Sequence, residues 1–262
     1  MKTKEGGWII LVLIILFLAT SLSSAQELTG EEILEKIKGK ITIIKNGTAD
    51  IDVYRENAKG ERILYLQIKI YRKISENKEK QLIEILRPAD WRGMKILSIV
   101  AKSEGKIWSY LPDATREPVG IKISTEYKKP FMKTDFTYEE IAGSKDYGKE
   151  YDVQKLEDGV FENYPCYRLK LTPKEEGSEY ALIKMWVWKE EFFPLKIEFY
   201  KEEGKLKKVL TNLDLKKENS HYILRTIIMS NKIKGTKTTI NILKIDREEP
   251  NDRFFDEKRF FK

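Results

Sequence analysis

Most of the chain alternates between apolar and polar residues, which is the pattern of half-buried β-strands. The clearest segment, residues 64–71, reads Leu-Tyr-Leu-Gln-Ile-Lys-Ile-Tyr, so its leucines and isoleucines share one face. Comparable runs separated by Gly, Asn, Pro or charged turns predict about ten strands in all. The other predicted strands are residues 41–43, 49–53, 82–86, 94–100, 106–111, 167–171, 182–188, 195–199, 206–213, 221–230 and 236–244.

Two short helices interrupt this rhythm. The first is predicted from the capping-box spacing of Thr29 and Glu32, followed by one apolar stripe over residues 33–37. The second is predicted over residues 135–142, inside an otherwise irregular stretch from 112 to 149. Loops of that length usually have a function or are mobile, so this stretch is predicted to be a lid.

Consecutive strands with short turns and almost no intervening helices predict one large antiparallel sheet in meander order. A twisted sheet of about ten strands either closes into a barrel or curls and is covered by other elements. We therefore predict a mainly β (α+β) fold: a strongly curved antiparallel sheet or incomplete β-barrel of about ten strands, covered by short helices. The apolar stripe of the first helix must lie on that sheet.

The first 25 residues have the pattern of a secretory signal peptide. Lys2 and Lys4 precede an unbroken apolar run over residues 8–19, and small residues lead to a cleavage position at Ala25. The run is shorter than the roughly 20 residues of a membrane-spanning helix, although a retained anchor is the alternative. We expect cleavage near Ala25, a periplasmic location, and a single domain over residues 26–262.

The only cysteine is Cys166, so the segment after the apolar run has no lipidation site and no intramolecular disulfide can form. We therefore expect a protein that is not lipidated, with Cys166 in a buried strand. The only histidine, His221, has no neighbouring Cys or His with which to bind a metal. Neither a nucleophile elbow nor a Gly-rich phosphate loop occurs, and the carboxylates of Glu139 and Glu140 are interpreted as solvated. The sequence thus predicts no catalytic residues, no cofactor, no metal site and no enzymatic activity.

Charged residues make up 35% of the chain, with Lys and Glu interleaved throughout. Without the first 25 residues, 47 Lys and Arg stand against 41 Asp and Glu, an excess of +6 that is spread along the chain. A nucleic-acid-binding protein would gather its basic residues on one face, with aromatic side chains to stack on bases. We therefore expect no nucleic-acid partner.

Three segments in the middle of the chain carry a resemblance to a known family. They read Arg-Pro-Ala-Asp-Trp-Arg-Gly-Met at 87–94, Gly-Lys-Ile-Trp-Ser-Tyr-Leu-Pro at 105–112, and Asp-Phe-Thr-Tyr-Glu-Glu at 135–140. In this order they resemble the outer-membrane lipoprotein-sorting protein-like family, part of the LolA-like superfamily of periplasmic lipoprotein carriers. The chain departs from the family after residue 112, because Arg116 is followed by Glu117 and not by further basic residues.

The resemblance implies an incomplete barrel whose apolar cavity lies under helices and binds acyl chains of lipids or lipoproteins. It implies a carrier that sorts them toward the outer membrane, with an inner-membrane donor and an outer-membrane acceptor as partners; we expect a monomer. Burying the roughly 45 methylenes of a triacylated anchor at about 0.8 kcal/mol each would exceed the ceiling of about 20 kcal/mol for non-covalent binding. A carrier must therefore close its own cavity, so that opening reduces the net affinity.

We predict seven residues as the lining of this cavity or its lid, with ordinary core packing as the alternative for each. Arg87 is predicted at the mouth, where it would bind a carbonyl or a headgroup, with a surface ion pair as its alternative. The alternative function is an envelope sensor or adaptor that binds a partner protein or a mislocalised lipoprotein, through a surface containing Trp186, Trp188 and Lys184. The seven predicted lining or lid residues are Trp91, Met94, Trp108, Leu111, Phe131, Phe136 and Tyr138.

Overall fold

The computed structural model describes residues 27–38, 40, 44, 46–75, 78–101, 104–112, 117–121, 128–142, 147–202, 204–218 and 221–262. The predicted leader and the predicted strand at 41–43 lie outside these residues.

Fifteen strands and three short α-helices make up the described part of the chain. The helices are α1 (Gly30–Ile37), α2 (Tyr138–Ala142) and α3 (Tyr147–Glu150). The strands are β1 (Gly47–Glu56), β2 (Arg62–Ser75), β3 (Lys78–Arg87), β4 (Lys95–Ala101), β5 (Glu104–Tyr110), β6 (Val119–Ile121), β7 (Tyr151–Phe161), β8 (Tyr164–Pro173), β9 (Leu182–Trp188), β10 (Phe193–Glu202), β11 (Lys205–Leu213), β12 (Lys216–Glu218), β13 (His221–Ile223), β14 (Thr226–Asn231) and β15 (Thr236–Asp246).

Thirteen of these strands form one curved antiparallel sheet that does not close into a barrel. Its order is β6-β5-β4-β3-β2-β1-β15-β14-β11-β10-β9-β8-β7, and a separate hairpin pairs β12 with β13. Two meanders, one from each half of the chain, therefore meet where β1 pairs with β15. The prediction of a large curved antiparallel sheet is confirmed, with more strands than the alternation indicated.

Two of the differences from the predicted strands have local reasons; the short strands β6 and β12 were also not predicted, and β6 lies in the stretch predicted to be irregular. The strand β7 was not predicted, because Lys155 to Gly159 interrupt its alternation with charged residues and its pairing with β8 shifts register between Leu156 and Gly159. The predicted strand 221–230 is two strands, since β13 pairs with β12 in the separate hairpin and the chain joins the main sheet only after Leu224 and Arg225, with β14. At this break the Arg225 carbonyl accepts a hydrogen bond from the Ile242 amide at 2.8 Å.

The main core lies on the concave face of the sheet. Inward residues from both meanders join it, including Leu66 and Ile85 from the first and Leu169 and Met185 from the second, and all four are fully buried. Cys166 is buried as predicted, in a smaller cluster with Trp188 and Leu195. The alternation read from the sequence therefore corresponds to the concave and convex sides of this sheet.

The helix α1 covers one end of the concave face. Its Ile33, Leu34 and Ile37 belong to the main core, as the apolar stripe predicted. A Cβ atom at Gly30 would lie 2.9 Å from the Val153 side chain, so only glycine allows this close approach to β7. The sheet thus supplies the apolar surface that so short a helix needs.

The capping box predicted at the start of α1 is present, and we expect it to contribute to the free energy of unfolding. The Thr29 hydroxyl accepts a hydrogen bond from the Glu32 amide at 3.2 Å, and the Glu32 carboxylate accepts one from the Thr29 amide at 2.8 Å. We expect Thr29→Ala to lower the free energy of unfolding by about 1 kcal/mol, measured by urea denaturation. Thr29→Ser is the control and should stay near the native value; an equal loss for both variants would contradict the cap's role.

The C-terminal segment packs on the opposite, convex face. Phe255 and Phe260 are buried there against Leu82 and Leu97, and Phe254 stacks on Tyr71 with ring centroids 4.5 Å apart. Lys73 and Lys80 bind the carboxylate of Asp252 at 2.9 and 3.0 Å. Both faces of the β2–β5 region are therefore covered by other parts of the chain.

Candidate functional site

The candidate site is a hollow between the concave face of the sheet and the segment 128–142, which we call the lid. The lid contains a 3-10 turn (Phe131–Lys133) and the helix α2. Phe131 and Phe136 point from it into the core and are 2% and 3% exposed. The lid is therefore fixed on the sheet by apolar contacts from two of its own aromatic side chains.

Two small adjoining cavities remain beneath the lid, with volumes of about 60 and 10 Å³. Gln81 of β3 and Ile141 of α2 line both of them. Their walls are mainly apolar, and the larger cavity also meets three polar side chains of the sheet or lid, Arg72, Asn212 and Glu140. The apolar walls of the larger cavity are Ile44, Ile70, Phe136, Ile141, Phe193, Leu210, Leu224, Ile227 and Ile240.

A buried polar anchor holds the middle of the lid to the central strands β1 and β15. The Asp135 carboxylate accepts hydrogen bonds from the hydroxyls of Thr236 (2.6 Å) and Thr238 (2.8 Å) and from Nε of Arg55 (3.2 Å). The Asp135 amide donates to the Thr238 hydroxyl at 2.9 Å. Because the Asp135 side chain is only 1% exposed, these partners take the place of the water molecules that would otherwise solvate the carboxylate.

A second polar contact lies under α2. The Glu140 carboxylate accepts hydrogen bonds from the Tyr180 hydroxyl at 3.2 Å and from Nζ of Lys208 at 3.4 Å. It also accepts one from the Thr137 amide at 2.8 Å, which begins the helix. Burial raises the pKa of the Tyr180 hydroxyl well above its usual value, so that group stays protonated and donates. The interpretation of Glu140 as solvated is therefore wrong: its side chain is 11% exposed and paired with a buried lysine.

Three of the seven predicted residues lie at the hollow. Phe136 lines the larger cavity, whereas Phe131 and Tyr138 line the smaller one, with their rings edge to face and the centroids 5.3 Å apart. Trp91 and Met94 are partly buried against the main core but line neither cavity. Nζ of Lys133 lies 5.7 Å from the Trp91 ring centroid, which places this tryptophan beside the lid.

The assignment of Trp108 to the cavity is corrected by the structure. On β5 the side chain of Ile107 points into the hollow, so the next residue, Trp108, points to the convex face. There it packs against the cluster that contains Phe255 and Phe260. Leu111 follows the end of β5, is half-buried, and lines neither cavity. Arg87 is exposed at the end of β3, and its role at a mouth stays a prediction.

The surface suggested for a partner protein is less open than the sequence indicated. Trp188 is buried, with Tyr164 and Tyr222 ring centroids 4.8 and 4.7 Å from its own. Trp186 on the same face is overlaid by Lys196, whose Nζ lies 4.5 Å from the ring centroid. These tryptophans are thus packed by their own neighbours.

The sheet residues that face the lid across the hollow, which we call its floor, were not predicted from the sequence. Leu210, Ile227 and Ile240 come from the second half of the chain, yet they face the lid across β11, β14 and β15. Arg72 was also missed, although it continues the inward series of Leu66, Ile68 and Ile70 at a period of two. The period alone could have placed Arg72 inside, whereas the floor required knowing that β1 pairs with β15.

The described residues contain neither a cluster of metal ligands nor a membrane-spanning helix. No group of three or more His, Cys, Asp or Glu side chains is placed to hold a metal ion within them. None of the helices in that part of the chain has the length and apolarity to cross a membrane.

Three solved structures are similar to this chain over most of its length. An outer membrane lipoprotein-sorting protein domain from Vibrio parahaemolyticus matches with a TM-score of 0.74 and 24% identity, covering 87% of this chain and 96% of that one. A DUF1329 family protein from Desulfovibrio piger gives 0.75 and 22%, covering 87% and 95%. A LolA superfamily protein from Nitrosomonas europaea gives 0.65 and 20%, covering 87% and 98%. These likenesses show the fold.

The chain also matches the model of a sequence family. No curated protein matches the chain. A family model with the description "-like: Uncharacterized protein" matches residues 77–261, which include β3 to β15, the lid and the C-terminal segment on the convex face. The chain therefore belongs to this family, and its fold is the LolA-like fold that the order of its three motifs indicated.

Proposed function

We propose that the chain is a carrier that binds acyl chains of lipids or lipoproteins between the concave face and the lid. The observation that supports this function is an apolar floor covered by a separate segment whose own side chains fill the space. Phe131, Phe136 and Ile141 occupy the position that apolar chains of a ligand would take. Burying such chains supplies about 0.8 kcal/mol for each methylene, which offsets the loss of the lid's contacts.

The closed hollow is too small for an acyl chain. Its cavities of about 60 and 10 Å³ compare with the roughly 300–1,000 Å³ of ligand pockets that bury a small molecule. Ligand binding therefore requires the lid to move off the floor. Such a carrier holds its ligand with less than the full burial energy and so can release it, because closing the lid recovers the apolar contacts.

We further propose that the protein works in the periplasm, moving its ligand toward the outer membrane between a donor and an acceptor. The support for the location is the leader-like pattern of residues 1–25, and the support for the direction is the fold shared with a lipoprotein-sorting domain. N-terminal sequencing of the protein recovered from the periplasm of its own host would test the location, with Gln26 expected as the first residue.

Two neighbouring isoleucines of β14 provide a matched test of the binding site. Ile227 lines the larger cavity, whereas Ile228 points to the opposite face of the same strand. We expect Ile227→Asp to weaken uptake of a fluorescent fatty acid at least tenfold, because the carboxylate would have to be desolvated against the bound chain. Fluorescence titration of the folded variants measures the effect.

Ile228→Asp is the control and should bind as the native chain does. Both side chains are partly buried, so the two variants bear a similar cost in stability, which circular dichroism would verify. Equal binding by the two folded variants would place the acyl chain elsewhere.

A further inference from the structure

The lid brings one carboxylate into the hollow, where two groups outside the lid bind it in addition to the Thr137 amide of the lid itself. Glu140 lines the larger cavity, and its two carboxylate oxygens accept from Tyr180 at 3.2 Å and from Lys208 at 3.4 Å. Tyr180 precedes β9 and Lys208 belongs to β11, so both stay with the sheet when the lid moves. Opening the lid therefore separates an anion from a cation and a hydroxyl donor.

Lys208 is the group that this separation affects most. Its side chain is 7% exposed and shares the inward face of β11 with Leu210 and Asn212, which line the cavity. The second acidic group close to it is Glu179, whose carboxylate is paired with Nζ of Lys207 at 2.9 Å. Without Glu140, the Lys208 ammonium would keep, among the acidic groups of the described residues, this shared and more distant partner.

Arg72, the cation that lines the larger cavity, keeps its partners when the lid moves. Arg72 donates hydrogen bonds to the Gln81 side chain and to the Glu79 carboxylate, each at 2.8 Å. Both acceptors lie on β3, the neighbour of its own strand, so they stay in place whatever the lid does. Lid opening thus leaves Arg72 compensated and removes the nearest anion from Lys208.

An uncompensated charge inside an apolar site is strongly unfavourable, and a purely apolar ligand would leave the Lys208 ammonium uncompensated. We propose that the hollow takes amphiphiles with an anionic head group, a carboxylate or a phosphate, whose oxygen replaces the Glu140 carboxylate at Lys208 and Tyr180. This inference rests on the proposed function and narrows its ligand class. The closed lid then competes with the ligand for the same site. Its aromatic side chains take the place of the ligand's apolar chain, and the Glu140 carboxylate takes the place of the head group.

Three probes with the same twelve-carbon chain separate the head-group chemistries: dodecanoate, dodecyl phosphate and methyl dodecanoate. Titration calorimetry at pH 7.5 with the chain from residue 26 should show at least one of the two anions binding about tenfold or more tightly than the neutral ester. The stronger anion identifies the source, a fatty acid or a phosphate-bearing lipid. Equal affinity for all three probes would overturn the anionic class while leaving the carrier function in place, and no binding of any probe would overturn both.

Variants of the ion pair test the assignment of residues. Lys208→Gln should reduce the preference for anions to about twofold or less while the ester still binds, and Lys208→Arg should restore it. The control is Lys205→Gln, an exposed position on the same strand, which should keep the full preference. Glu140→Gln, which weakens the competing contact of the closed lid, should raise the affinity for the anions; an unchanged preference in folded Lys208→Gln would show that the head group binds elsewhere.

Discussion

An Asp135→Ala variant is expected to exchange the backbone amides of the lid at least 100-fold faster than the native chain. The Asp135 carboxylate is buried with Arg55, Thr236 and Thr238, and its removal leaves the guanidinium without the charge that compensates it. Breaking a buried ion pair in this way costs about 3–5 kcal/mol, and about 1.4 kcal/mol corresponds to a factor of ten in an equilibrium constant. Hydrogen exchange followed by mass spectrometry would report the change in peptides from residues 128–142.

The same variant should also bind acyl chains more tightly, because the cost of opening the lid falls. A double variant, Arg55→Ala with Asp135→Ala, is the control. The double variant should accelerate amide exchange in the lid by less than the two single changes combined, because neither member of the ion pair is left buried without the other. Native exchange rates in the lid of Asp135→Ala would show that the anchor does not hold the lid closed.

Removing one buried phenyl ring from the convex face should destabilise the whole sheet. Phe255 and Phe260 are each 3% exposed and pack on Leu82 and Leu97. A buried Phe→Ala change typically costs about 3–5 kcal/mol, so Phe255→Ala or Phe260→Ala should lower the Tm by roughly 6–20 °C. Thermal unfolding followed by circular dichroism measures the change.

An exposed residue of the same segment, Glu257, supplies the comparison. Glu257→Ala should change the free energy of unfolding by no more than about 0.5 kcal/mol. If the two phenylalanine variants unfolded at the native temperature, the C-terminal segment would contribute no stability to the sheet. The hollow should keep its ligand affinity in folded variants of either kind, because the segment lies on the other face.

The parts of the fold that depend on short-range chemistry could be predicted from the sequence. The capping box of Thr29 and Glu32 is complete within four residues, and the apolar stripe that follows it packs as expected. The alternation of 64–71 gave a strand for the same reason, since successive side chains of a strand point to opposite faces. Phe136 was placed at the hollow through the resemblance of its motif.

The face of β5 could not be predicted, because each of its faces combines a large apolar residue with a polar one. Ile107 meets the hollow and shares its face with Ser109, whereas Trp108 meets the C-terminal segment and shares its face with Lys106. Glu140 and Lys208 are 68 positions apart in the sequence. The sequence alone does not distinguish a glutamate that is exposed at the surface from one that is buried and paired with a lysine. Contacts of this range depend on the whole topology, which pairs β1 with β15.

The interrupted strand β7 has a consequence for how copies of this protein behave at high concentration. An open sheet presents unpaired amides and carbonyls at its border, where a strand from another molecule can attach and begin a fibre. At this border the exposed side chains of Glu157 and of Asp158, which is paired with Lys189, stand where the register slips, so an incoming strand would meet charged side chains and a kinked backbone. The charged interruption that kept β7 from being predicted as a strand thus also hinders the association of two molecules at this edge of the sheet.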